Sequence, residues 1–365
     1  MTIVRWVAAA VGIAIVIGTI ASVLETSVVP RGTRSRITGR VARVVRAIFE
    51  LIADRFENWE RRDRARALGA PAFLMSLLVV WLLFLMGGFT LVMWPFTDGS
   101  LATAFEISGS SIFTLGIASP GHDLVPVIVV FLAAASGLVV LTLQIAYLPS
   151  LYTAFNRRET MVTMLDGLAG SPAWGPEILA RFALIQDLSS LDGLYERWSE
   201  WAADISESHV AFRSLIYFRS PSPERSWLIS FLAVLDAAAL HLALCPGSAP
   251  RSARRFLRTG YVCAGELAGT LRLARTTAPY PNPPVIDLSF EEFSLGVDNV
   301  RRAGVPCERT AEEAWADFAG WRVTYERALY SLAEHVDVVP ALWSGPRRRR
   351  GAQIPPMRPE RAGID

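Results

Sequence analysis

The residues best placed to do chemistry are Thr114, Leu115, Gly116, Ile117, Ala118 and Ser119, which follow the small-residue stretch ATAFEISGSSIF at 102–113. None of these side chains is a strong acid, base or nucleophile. What such a stretch offers is backbone, in a short helix followed by an extended segment, and non-helical backbone at membrane depth is tolerated only where it lines water or is buried in protein. Glu106 adds one carboxylate, suited to meeting a cation at an outer vestibule. It reads equally well as an interfacial acid or a buried partner of a hydroxyl. Elsewhere the chemistry thins out. His122, His209, His241 and His335 lack ligand spacing, and Cys245, Cys263 and Cys307 show neither disulfide nor metal patterning. Asp236, inside an apolar helix, reads as a satisfied buried carboxylate more readily than as a catalytic base. No phosphate-cradling loop, nucleophile elbow or metalloprotease motif occurs, so neither an enzyme nor a cofactor is expected.

The elements around this stretch are membrane-length. The chain has 365 residues, of which 52% are hydrophobic, and the excess is concentrated before residue 150. Residues 3–24 form an apolar run able to cross a hydrocarbon core of about 30 Å. A cleaved signal peptide would show a shorter run and a small-residue cleavage site, and Glu25-Thr26-Ser27-Val28-Val29-Pro30 is a poor one. Two further runs, 71–94 and 125–148, flank the candidate segment. Trp94-Pro95-Phe96 closes the former as an aromatic anchor. Between the first two runs, 31–70 carries eleven arginines against five acids. Ile37, Val41, Val44, Ile48, Ile52, Phe56 and Trp59 recur there every three or four residues. That spacing predicts one amphipathic helix lying in the headgroup layer.

Charge sets the expected orientation. The link at 95–124 has no lysine or arginine and holds Asp98, Glu106 and Asp123, whereas 31–70 and Arg157-Arg158 are strongly basic. By the positive-inside rule the link faces outward, the N-terminus lies outside and the C-terminal domain is cytoplasmic, in a multi-pass plasma (inner) membrane protein. The run at 227–245 contains Asp236, whose insertion at mid-span costs about 2.5–3.5 kcal/mol, so a buried core helix is expected instead. Helices are expected near 176–206, 223–245, 251–275, 290–303 and 311–337, with capping boxes at Ser289/Glu292 and Thr310/Glu313. From Trp343 proline and arginine dominate, which predicts a disordered basic tail over 343–365. The whole-chain net charge of +2 gives no reason to expect nucleic acid. All basic residues are arginine.

A half-length helix followed by an extended segment between two spans has the form of a re-entrant loop, which lipid tolerates only where it lines water or is buried in protein. On these residues the chain resembles the potassium-channel pore. Ser110-Ser111-Ile112-Phe113-Thr114-Leu115-Gly116 is similar to the end of a pore helix and the start of a filter. Ser136-Gly137 stands where an inner-helix glycine hinge is common. The resemblance extends to bacterial channel-like membrane proteins of the two-pore or ion-channel family. It rests there on Val29-Pro30-Arg31-Gly32, the arginine-rich helix, and Tyr147-Leu148-Pro149 through Arg157-Arg158-Glu159. It covers about residues 30–160. The filter departs from the family's Thr-Val-Gly-Tyr-Gly-Asp: Ala118 replaces the second glycine and Ser119 the acid. A left-handed backbone at alanine costs roughly 1–2 kcal/mol, so a standard potassium filter is not expected.

The resulting expectation is an all-α membrane protein: three transmembrane helices, a re-entrant pore helix and loop between the last two, and a C-terminal helical cytosolic domain. The divisions are 1–30, 31–70, 71–158, 159–342 and 343–365. Gly137 reads as hinge or packing contact, Gln144 as pore-facing or bonded across helices, and Pro149 as a kink at a gate or the helix's exit from the membrane. The implied function is a homotetrameric channel for monovalent cations in a lipid bilayer, with an unidentified cytosolic partner or ligand. The alternative is a non-conducting scaffold or sensor on the same plan.

Overall fold

A computed structural model describes residues 2–29, 35–98, 100–274, 280–347 and 352–357. Pro30 to Arg34, including most of the Val29-Pro30-Arg31-Gly32 step, and Arg348 to Arg350 lie outside the described residues. The described chain is helical, with isolated β-bridges and no strand. It divides into two compact units, one formed by 1–57 with 65–153, the other by 58–64 with 154–365.

The first unit contains α1 (Thr2–Ser27), α2 (Arg36–Ala53), the end of α3 (Trp59–Ala67), α4 (Gly69–Met93), α5 (Leu101–Ile112) and most of α6 (Leu124–Ala169). α1 and α4 meet glycine to glycine. A methyl group on Gly12 would stand 2.5 Å from the Gly88 carbonyl oxygen, and one on Gly88 would stand 2.8 Å from Val16. Small residues are used this way in membranes because close backbone approach supplies the dispersion contacts that lipid does not. Polar side chains add to it. Trp81 Nε1 donates to Ser22 at 3.0 Å, Ser22 bonds Ser35 at 2.6 Å, and Thr26 bonds Thr38 at 2.8 Å. Ser35 also caps α2 by accepting from the Thr38 amide.

The arginine-rich segment is two helices, not the single one its periodicity predicts. α2 closes at Asp54, and Asn58 opens α3 by accepting the Glu60 amide at 2.8 Å. Such local side-chain bonds compete with continued helix. Residues 58–64 then belong to the second unit. Trp59 packs on that unit's core, and buried Arg62 pairs with Asp337 at 2.7 Å. The amphipathic face is therefore confined to α2, where Val44, Ile48 and Leu51 are exposed beside Arg40 and Arg43.

The second unit is built around α9 (Trp227–Leu244), surrounded by α7 (Gly175–Leu184), α8 (Leu191–Ala211), α10 (Arg251–Leu271), α11 (Phe290–Arg302), α12 (Ala311–Arg322) and α13 (Glu326–Val336). The expected helix at 176–206 is broken at 185–190, where Gln186 is left-handed and Ser189 bonds Asp187. That at 311–337 is broken at 323–325, where the Thr324 hydroxyl bonds back to the Trp321 carbonyl. Both capping boxes form. Asp236 is satisfied as expected: Arg322 lies 2.7 Å away and Tyr325 donates at 2.8 Å. Arg322, itself fully buried, also pairs with Glu326 at 2.7 Å and donates to the Trp343 carbonyl at 2.7 Å. The expectation of disorder from Trp343 is wrong where the chain is described. Trp343 and Ser344 are buried, and Arg347 donates to the carbonyls of Val338 and Val339 at 2.9 and 3.1 Å. Further on, the Met357 amide donates to the Ser171 carbonyl. Proline and arginine are ordered here by long-range backbone partners that local composition does not reveal.

Among the described residues, four helices are long and apolar enough to cross a membrane. In α1, the α3–α4 segment and α6, about a third of the apolar window is buried: 33, 33 and 28%. In α9 the figure is 100%, so protein covers its apolar surface on every side.

Candidate pore loop

α5 begins at Ser100, whose hydroxyl accepts the Thr103 amide at 3.2 Å. It ends at Phe113 in a Schellman turn: Thr114 N–H donates to the Ser111 carbonyl at 3.0 Å and Leu115 N–H to the Ser110 carbonyl at 2.8 Å. That turn needs a left-handed residue after the cap, and the chain supplies threonine, with φ of 52° at Thr114. A β-branched residue in this region is an outlier whose strain the surroundings must hold. Gly116 follows with φ of 67°, where glycine carries no penalty. Ala118 has no positive φ. The penalty expected from the missing second glycine is therefore absent, and the strained position is Thr114.

Ser110 organises what comes next. Its buried hydroxyl oxygen accepts the amides of Ile117, at 3.0 Å, and Ala118, at 3.2 Å. The loop's N–H groups are thus folded back onto α5. Among the described residues, no hydrogen bond reaches the carbonyl oxygens of 114–118. Ala118 packs against the cluster of Met93, Ala104 and Ile107. Leu115 and Ile117 stand out from the chain, 60 and 70% exposed, and Ser119 accepts the Gly121 amide at 3.4 Å. Ser110 appears in the sequence only as one of two adjacent serines. Its role depends on partners seven and eight residues on, in a turn that no periodicity announces.

The other candidates do not converge on the loop. Glu106 is exposed on α5. Gly137 is a packing contact: a methyl group there would overlap the Ile112 carbonyl oxygen at the end of α5. That approach accounts for the glycine without a hinge. Gln144 is buried, and its Nε2 has no partner among the described residues. Ser108 is likewise buried with an unpartnered hydroxyl. Pro149 lies inside α6, which continues past it to Ala169.

In the second unit, Arg157 pairs with Asp204 at 2.7 Å. Arg158 is fully buried, bonded to Glu159, to the carbonyls of Leu215 and Phe218 at 2.8 Å, and to His209. Burial, and then the charge of Arg158, hold His209 well below the ordinary histidine range. Comparison with protein families, curated proteins and solved structures finds no match. The class defined by the fold is an all-helical protein with several helices able to cross a membrane.

Proposed function

We propose that the chain is a channel-like integral membrane protein with α1, α4 and α6 as spans, and with α5 and the 114–119 loop re-entering between the last two. The observation that carries this reading is the polarity of the loop. Its amides are tied to Ser110, and its carbonyls are left unpaired in a turn between two membrane-length helices. Oxygens so placed are suited to an ion that has shed part of its water. Several subunits around an axis, four by resemblance to potassium channels, would bring the loops together and cover the exposed side chains of Leu115 and Ile117. The charge asymmetry supports an outward loop and a cytoplasmic second unit in the plasma membrane. The pathway would carry monovalent cations with weaker selectivity than a two-glycine filter.

A second reading is favoured by those same two side chains. Apolar groups pointing from the loop fit a non-conducting scaffold in which the loop packs between subunits. The full-length protein in liposomes separates the two. A channel passes rubidium or potassium, whereas silence from a folded oligomer contradicts conduction and favours the scaffold, and a silent protein that is monomeric in detergent contradicts the proposal as a whole. Changing Ala118→Gly with Ser119→Asp then asks whether a two-glycine filter sharpens potassium selectivity.

A further inference from the structure

The second unit holds a thiol pair that the pore reading does not use. α9 ends at Cys245, and the loop between α11 and α12 carries Cys307. Backbone and carboxylate bonds fasten the two segments. The Glu308 and Arg309 amides donate to the Leu244 carbonyl at 2.8 and 3.2 Å. The Glu308 carboxylate accepts the amides of Gly247, at 2.9 Å, and Ser248, at 3.1 Å. Cys245 Sγ donates to the Pro306 carbonyl at 3.5 Å, which holds it beside the peptide bond that leads into Cys307. The pair is asymmetric. Cys245 is buried, while Cys307 is partly exposed and lies in the field of the Arg301 guanidinium.

We propose that Cys307 and Cys245 are a peroxide-responsive dithiol, with Cys307 as the attacking thiolate and Cys245 as the resolving thiol. In the first step the Cys307 thiolate attacks one oxygen of a hydroperoxide. The O–O bond breaks, Cys307 becomes a sulfenic acid, and hydroxide or alkoxide leaves. In the second step the Cys245 sulfur attacks the Cys307 sulfur. The S–O bond breaks, an S–S bond forms, and the Cys245 proton leaves with the hydroxyl as water. A dithiol reductant reverses the change by thiol–disulfide exchange. The electrostatics agree with this division of roles. The hydrogen bond from Cys245, and then the Arg301 guanidinium, pull the Cys307 thiol down to about 7. Sharing that proton, and burial, push Cys245 far up. The titratable and charged neighbours of the pair are Tyr195, Arg301 and Glu308. Cys263, buried in α10 with its thiol pushed up by burial, is an internal control.

The test uses the full-length protein in detergent, treated with a small excess of hydrogen peroxide. Two of the three thiols should be lost together, with a mass decrease of about 2 Da. Peptide mapping should join 245 to 307 within one chain, and dithiothreitol should restore both thiols. Cys245→Ser should instead accumulate sulfenic acid at Cys307, trapped by a cyclic 1,3-dione. Alkylation of Cys307 should rise to half its maximal rate near pH 7 and run at least tenfold faster than that of Cys263. The wild-type map decides the matter even if the variant fails to fold. A bridge between two chains, sulfinic acid at Cys307 without a bridge, or three intact thiols would each overturn the proposal. None of these outcomes depends on whether the protein conducts ions.

Discussion

α6 and α9 are both apolar enough to cross a membrane, yet they solve opposite problems. α9 is wrapped by helices of its own unit, and its one acid is paired with Arg322 and Tyr325. The apolar part of α6 leaves most of its surface uncovered, including Phe131, Leu138 and Ile145. Hydropathy measures what a helix must avoid, which is water, and not what will cover it. The difference shows in what each helix carries: α9 places a carboxylate at its centre, and the apolar part of α6 has no charged residue between Leu124 and Asn156. A charge can sit in an apolar helix where the fold provides its partner, and lipid provides none.

The largest effect expected from breaking this contrast is at Arg322. Arg322→Met leaves Asp236 buried without its cation, which should destabilise the second unit by roughly 3–5 kcal/mol. Thermal unfolding of the detergent-solubilised chain reads the loss, and adding Asp236→Asn should recover part of it.

In the first unit, glycine contacts stand where the second has ion pairs. Gly88→Leu should force α1 and α4 apart at a cost of roughly 1–3 kcal/mol. Faster proteolysis between 28 and 60, with the second unit's melting unchanged, is the expected sign.

Acidification should also discriminate between the units. His209 is held neutral in the folded state, whereas an unfolded histidine takes up a proton near pH 6.5. Its folded pKa is lowered, so stability is fully present above about pH 6.5 and declines as pH falls below it. The deficit should grow steadily as pH falls from about 6.5 towards 5. His209→Gln should flatten that part of the curve.

The smallest stability effect expected is at the loop. Ser110→Ala removes the acceptor of two amides, and because water can reach an exposed loop the cost should be about 1 kcal/mol. Its mark should be faster amide exchange at Ile117 and Ala118.

The sequence makes legible whatever depends on near neighbours. Ser289/Glu292 and Thr310/Glu313 cap helices because the partner is three residues away. The apolar runs appear as membrane-length helices because composition alone sets that property. It fails where a distant residue decides. Trp59 continues the apolar period of α2, but it belongs to α3, which opens at Asn58 after α2 has closed at Asp54, and it packs in the other unit. Arg347 reads as part of a charged tail until the carbonyls of Val338 and Val339 fold over it. At the candidate site the stretch 114–119 stands out by its setting between two spans. Its strain falls at Thr114 and not Ala118, because the Schellman turn on α5, and no register borrowed from a filter, fixes the backbone.

The most direct test of the central claim is tracer cation flux into liposomes holding the full-length wild-type protein or its Ser110→Ala variant. The loop account predicts flux from the wild type and an altered rate or ion preference in the variant, since Ser110 sets where the carbonyls point. Wild-type liposomes no leakier than empty ones, from protein shown to be folded and oligomeric, would contradict it.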